Sequence, residues 1–137
     1  EHFAGGEAGS VSSINYVKNG IAGMLENVPR EKLIGGVPFY TRLWTEAGDG
    51  TITSKAMGIA EEKRWVDNNQ VELTWQADTA QYYGEVQTSD GAQFLWMEEE
   101  RSLKEKMNVI RQNDLAGVAC WKLGFEDSAA WDSIQWN

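Results

Sequence analysis

The chain of 137 residues has the length of one ordinary domain, so it encloses a core but leaves no room for a complete eight-stranded α/β barrel of ~250 residues. Apolar residues make up 42% of it, with seven Trp, four Tyr and four Phe, enough surface to bury that a disordered chain is excluded. Twelve Lys and Arg against 21 Asp and Glu leave a formal charge of −9, and without a basic cluster nucleic acid is not an expected partner.

A single cysteine, Cys120, excludes an internal disulfide and a cysteine-based metal site, and His2 is the only histidine, so neither metal nor cofactor is expected. Cys120 reads as a buried thiol, not a nucleophile, because no other histidine is present to act as its base. No apolar run approaches the ~20 residues of a membrane span. No secretory leader is visible, and a chain that begins at Glu1 without Met reads as an excised piece.

After Ser12 and Ser13, which supply a helix cap, Ile14, Val17, Ile21, Leu25 and Val28 recur at helical spacing until Pro29, predicting a helix over 14–27. The run Leu33-Ile34-Gly35-Gly36-Val37-Pro38-Phe39-Tyr40 is short and almost wholly apolar, as in a strand covered on both faces in a parallel sheet; Pro38 is tolerable near its end. Residues 41–53 read as a loop, followed by a helix over 55–67 capped by Ser54, with Ala56, Ile59, Ala60 and Val66 inward. Then the period becomes two: Val71, Leu73, Trp75 and Ala77 alternate with Glu72, Thr74, Gln76 and Asp78, the pattern of a strand with one wet face. Residues 82–87 and 94–98 read as two more strands joined through Ser89-Asp90-Gly91.

From Ser102 the helical period returns, with Leu103, Met107 and Ile110 inward and Lys104, Glu105, Lys106 and Arg111 facing water. The apolar run from Leu115 to Trp121 predicts a second buried strand, and a last amphipathic segment over 128–136 carries Trp131, Ile134 and Trp136. The order predicts an α/β fold in which two β/α units are interrupted by a small antiparallel α+β insertion.

In parallel β/α architectures functional groups collect just past the carboxyl ends of the strands. Those positions are Tyr40, Thr41, Arg42 and Trp44 after the first apolar strand, and Trp121, Lys122, Gly124 and Glu126 after the second. Indoles stack on the apolar faces of sugars while an arginine fork bonds hydroxyls, so a polyhydroxylated ligand suits this rim; the competing reading makes Trp44 and Trp121 core aromatics. Glu98, Glu99 and Glu100 form an acidic run at a strand-to-helix junction, where Glu99 and Glu100 read as solvated charge favoured by the helix N-terminus. Glu98 is the member placed to face a cleft, while Glu126 reads as a solvated or ion-paired rim residue. No second carboxylate stands at a defined distance from either, so no general acid is assigned.

The stretch from Glu31 to Trp44, with Gly36-Val37-Pro38-Phe39-Tyr40-Thr41-Arg42-Leu43-Trp44 at its heart, closely resembles the seventh barrel strand of glycoside hydrolase family 18, the chitinases and related N-acetylglucosaminidases. The stretch from Leu115 to Gly124 resembles that family's eighth strand, which ends in the Trp flooring the sugar subsite at the cleavage point. Glu1-His2 with Ala8-Gly9-Ser10-Val11 is similar to the segment after the family's sixth strand, and the wording lies nearest the bacterial spore-wall branch. The resemblance implies the last two β/α units of a (β/α)8 TIM barrel at 1–44 and 99–137, with an α+β insertion domain at 45–98.

It further implies a parent enzyme acting on β-1,4-linked N-acetylglucosamine polymers, chitin or peptidoglycan, by a retaining, substrate-assisted route, outside the cell or at the cell wall or spore. Trp121 would be the platform under the sugar, Tyr40 and Arg42 would bind hydroxyls or the acetamido group, Trp44 would be a wall, and Glu98 a cleft residue. The family's Asp-x-x-Asp-x-Asp-x-Glu motif, which holds the acid, is absent from this sequence, and its sixth-strand Tyr and Asp would precede Glu1. The chain alone is therefore expected to be inactive and, with barrel strands cut from their neighbours, to self-associate. Two other roles stay open, a lectin-like glycan-binding module and an interaction role for the insertion through Trp75 and Trp96.

Overall fold

Ser13 opens the first helix, α1 (Ile14–Leu25), its Oγ accepting from the backbone N–H of Tyr16, and the helix buries Ile14, Val17 and Ile21. This agrees with the helix read from the sequence. The computed structural model, which describes residues 1–136, continues with strand β1 (Ile34–Pro38), which pairs in parallel with β7 (Gly117–Trp121) from Ile34 opposite Gly117 to Pro38 opposite Trp121. Both apolar runs are thus strands of one parallel pair, as their composition predicts.

Between them lies a five-stranded antiparallel sheet in the order β3-β2-β6-β5-β4. Its strands are β2 (Tyr40–Glu46), β3 (Ile52–Gly58), β4 (Thr74–Gln76), β5 (Gln81–Thr88) and β6 (Gly91–Trp96). The segment read as a loop over 41–53 is mostly a hairpin, β2 pairing with β3 along seven positions from Tyr40 opposite Gly58 to Glu46 opposite Ile52. This pairing also removes the first turn of the expected helix: Ser54 and Ala56 lie in β3, and α2 (Ile59–Asn68) starts after Gly58. Cross-strand bonding decided a stretch whose small residues fit either period. The sheet takes in residues 40–44, assigned from the sequence to the surrounding frame, while the alternating stretch from Val71 narrows to the three-residue edge strand β4.

The expected turn joins β5 to β6, with Thr88 opposite Gly91. Gly91 has φ +125, and a Cβ there would stand 2.1 Å from the carbonyl oxygen of Glu46, so the strand beside it tolerates only glycine.

Helix α3 (Glu100–Gln112) begins with a reciprocal cap: Glu99 accepts from the N–H groups of Arg101 and Ser102, and Ser102 Oγ accepts from the N–H of Glu99. Glu99 is accordingly buried as a cap, not solvated as the acidic run suggested. Leu103, Met107 and Ile110 turn inward with Val37, Phe39 and the α1 residues to form the main core, and the last helix, α4 (Ser128–Ser133), adds Ala130. Each such large apolar side chain contributes ~1.5–3 kcal/mol on burial. Leu43, Met57, Val66, Leu95 and Met97 form a second core between the sheet and α2. Phe39, fully buried, marks the passage from the parallel pair to the antiparallel sheet.

Three further burial expectations fail. Ala56, read as inward, is exposed in β3. Lys106, read as facing water, is fully buried. In β7, Ala119 and Trp121 are exposed and Cys120 is half-buried, because the parallel sheet has two strands among the described residues and each is an edge.

Candidate functional site

The carboxyl ends of β1 and β7 arrive side by side, with Pro38 opposite Trp121 and the N–H of Phe39 donating to the Trp121 carbonyl at 2.7 Å. Trp121 is 68% exposed, an unusual position for an indole that is not fulfilling a contact. With Ser12, Val37, Pro38, Tyr40 and Cys120 it lines an open concavity of about 270 Å³. Tyr40 is half-buried and its ring leans on Phe125 at 6.1 Å between centroids. Trp121 and Tyr40 therefore line one concavity at the carboxyl ends of β1 and β7. From the sequence Ser12 reads as a helix cap and Pro38 as a strand-end residue; they join the rim only through the fold.

The loop beyond Trp121 is held from several sides. The Trp121–Lys122 peptide is cis. The N–H of Gly124 donates to Glu126 Oε2 at 2.7 Å, so Glu126 closes its own loop. The N–H of Phe125 donates to the Lys122 carbonyl at 3.1 Å, the Lys122 ammonium lies 4.6 Å from the Phe125 ring centre, and the Phe125 carbonyl accepts from Ile59 of α2 at 2.7 Å. Asp127 caps α4 through the N–H of Ala130 and also bonds Lys63 of α2 at 2.6 Å, while Lys63 bonds Glu100 of α3 at 2.5 Å. Burial alone would lower the Lys63 ammonium, but its bonds to Asp127 and Glu100 prevail and hold it above its ordinary pKa. Burial likewise pushes Asp127 and Glu100 upward, and the bonds to Lys63 outweigh it, leaving both carboxylates below their ordinary values.

Three residues expected at the rim lie elsewhere. Trp44 is 1% exposed, with its indole N–H donating to the Gly9 carbonyl at 2.9 Å, so in this chain it is a core aromatic and presents no wall. Arg42 projects from β2 as a half-buried side chain, its Nε donating to Ser54 Oγ at 2.8 Å. Glu98 is fully buried and faces no cleft. Lys106 Nζ lies against both of its oxygens, Ser102 Oγ donates to Oε1 at 2.6 Å, and Gln81 Nε2 donates to Oε2 at 3.3 Å. Burial pushes the Glu98 carboxyl up, against the opposing pull of Lys106 and Ser102. Ser10 in turn donates to Gln81 Oε1, so the network reaches from the N-terminal segment to α3.

Beside this network sits Glu62 of α2, fully buried and with neither carboxylate oxygen hydrogen-bonded among the described residues. Burial, reinforced by Glu98 and Glu99, holds its carboxyl well above the ordinary range. Among the described residues no cluster of three or more His, Cys, Asp or Glu is arranged to hold a metal ion, and no helix is long and apolar enough to cross a membrane.

Known proteins share this fold. The sequence model of Glycosyl hydrolases family 18 matches residues 6–126. The chain is 26% identical over 136 residues to an uncharacterized glycosylase, YvbX, of Bacillus subtilis, covering 98% of this chain and 39% of that protein. It is 26% identical over 131 residues to the cortical fragment-lytic enzyme of the same bacterium, covering 94% and 30%. Among solved structures, the Bacillus megaterium spore cortex-lytic enzyme SleL superposes with a TM-score of 0.85 at 24% identity, over 96% of this chain and 31% of that one. A chitinase from Chromobacterium violaceum superposes with a TM-score of 0.85 at 21% identity, over 93% and 39%. The chain spans about a third of the length of these relatives, between 30% and 39%.

Proposed function

Because this chain belongs to glycosyl hydrolase family 18, we propose that it forms the C-terminal part of a catalytic domain cleaving β-1,4-linked N-acetylglucosamine polymers, chitin or peptidoglycan. Residues 1–39 and 99–137 contribute the last two β/α units of a (β/α)8 barrel, and the antiparallel sheet with α2, residues 40–98, the insertion domain. Support for the barrel comes from the parallel pair itself. β1 and β7 are both edges of their sheet, Ile34 and Tyr16 are exposed, and parallel strands are otherwise found covered and flanked. On its own the chain is expected to associate through these edges.

The observation that carries the reading is Trp121, 68% exposed at the carboxyl end of β7 and level with Tyr40 across the rim. In this role the indole floors the sugar at the scissile bond, and Tyr40 bonds a hydroxyl or the acetamido group. The parent works by retention with the substrate's own acetamido group as nucleophile, needing an acid that this chain's sequence does not carry. It acts at the cell wall or spore, as the names of its relatives suggest.

Two measurements on the pure 137-residue protein test this. Chitotetraose should bind, and Trp121→Ala should abolish binding with an unchanged circular dichroism spectrum; binding that survives the substitution overturns the platform. A chromogenic N-acetylglucosaminide should not be turned over, and hydrolysis above background overturns the claim that the acid lies elsewhere.

A further inference from the structure

We propose that Lys63, on α2, is a positioning residue for the Trp121 platform, so that a helix lining no part of the concavity sets the geometry of the sugar subsite. This rests on the glycan reading of Trp121. The indole is exposed, so neighbouring side chains do not clamp its ring, and its orientation is set by the backbone of the loop that carries it. That loop is fixed at its start, where Phe39 donates to the Trp121 carbonyl at 2.7 Å, and again at Phe125 and Asp127. Both later anchors come from α2.

At Phe125 the approach is backbone to backbone: Ile59 donates to its carbonyl at 2.7 Å, and a Cβ on Gly58 would come within 2.9 Å of the same oxygen. At Asp127 the anchor is ionic. Lys63 Nζ sits 2.6 Å from Asp127 Oδ2 and 2.5 Å from Glu100 Oε1, tying α2 to the start of α4 and the start of α3 at once. Each carboxylate stands at a helix N-terminus, where the backbone dipole already favours it. The three side chains are each about two-thirds or more buried, which limits screening by solvent. A platform held in one orientation binds a sugar without first losing loop entropy, and that saving is what Lys63 supplies.

Chitotetraose titrations of the 137-residue chain, followed through the Trp121 indole N–H resonance and assigned by its loss in Trp121→Phe, test the assignment. Lys63→Met is expected to move that resonance in the free protein and to weaken binding about three- to tenfold, with Lys63→Arg recovering most of the loss. Lys55→Met, which removes the exposed pair with Glu61 near the start of α2, should change neither. Should Lys63→Met fail to fold, Asp127→Asn keeps a capping acceptor, removes the charge, and carries the same expectation. Wild-type affinity and an unmoved resonance in these variants, with binding still lost in Trp121→Ala, overturn the role of Lys63 alone. Binding retained in Trp121→Ala overturns the underlying glycan reading instead.

Discussion

Lys106 Nζ lies 3.0 Å and 3.1 Å from the two carboxylate oxygens of Glu98, and both side chains are fully buried. Glu98 sits just past β6, where the chain leaves the antiparallel sheet, and Lys106 on the inward face of α3, so one ion pair joins the end of the sheet to the helix that follows it. Removing one partner leaves an uncompensated charge in the core. Lys106→Met is therefore expected to destabilise the chain by about 3–5 kcal/mol, and the double variant Lys106→Met, Glu98→Gln by less than the sum of the singles. Urea denaturation of the four proteins of this cycle measures both quantities.

Glu62 should show the opposite sign. Its folded-state pKa is raised well above the ordinary value by burial, with Glu98 and Glu99 adding to the shift, so the folded protein binds a proton that the unfolded chain releases. Stability is thus lost progressively as pH rises above the unfolded value, until the folded group itself ionises. Glu62→Gln removes this cost and is expected to stabilise by about 1–3 kcal/mol near pH 7, the gain shrinking toward pH 4. Thermal melts of both proteins from pH 4 to 8 check it, and a gain that does not vary with pH would count against it.

Trp44→Phe separates core from rim. The substitution removes the indole bond to Gly9 and leaves a partly filled space, at a cost of about 1–3 kcal/mol. Because Trp44 is closed off from the concavity beside Trp121, chitotetraose affinity should stay within experimental error. Calorimetric titration alongside denaturation measures the two effects in the same samples.

Gly91→Ala acts through the backbone. At φ +125, and with its new methyl colliding with the Glu46 carbonyl, the variant must push β6 from β2, so a loss of more than about 1 kcal/mol is expected. Faster amide exchange at Gln93 and Thr45, which face each other across these strands, would localise the damage.

The parts legible in the sequence were those decided locally. Ser13 with the period of Ile14, Val17 and Ile21 marked α1, the two apolar runs marked the parallel pair, and Ser89-Asp90-Gly91 marked the turn between β5 and β6. What escaped depended on partners far along the chain. Ile52 to Gly58 is a strand because Tyr40 to Glu46 lies beside it, and Lys106 is buried because Glu98 meets it there. Trp121 and Tyr40, picked out by their place past the strand ends, line one concavity, whereas Trp44, a weaker wall candidate from the sequence, is held in the core by the Gly9 carbonyl. Lys63 and Asp127, 64 positions apart, leave no local trace of their contact.

The chain enters the antiparallel sheet through β2 and leaves it through β6, neighbouring strands linked also by the Thr41 hydroxyl donating to the Trp96 carbonyl. With its two ends side by side, such a segment can be grafted between related frames without stretching the host. Its chemistry, however, is not self-sufficient. Glu98 travels with the graft, whereas Lys106 belongs to the recipient, so a host with leucine at that level would inherit a lone carboxylate in its interior. The segment therefore keeps a neutral interior only in a frame that places a cation at the level of Lys106.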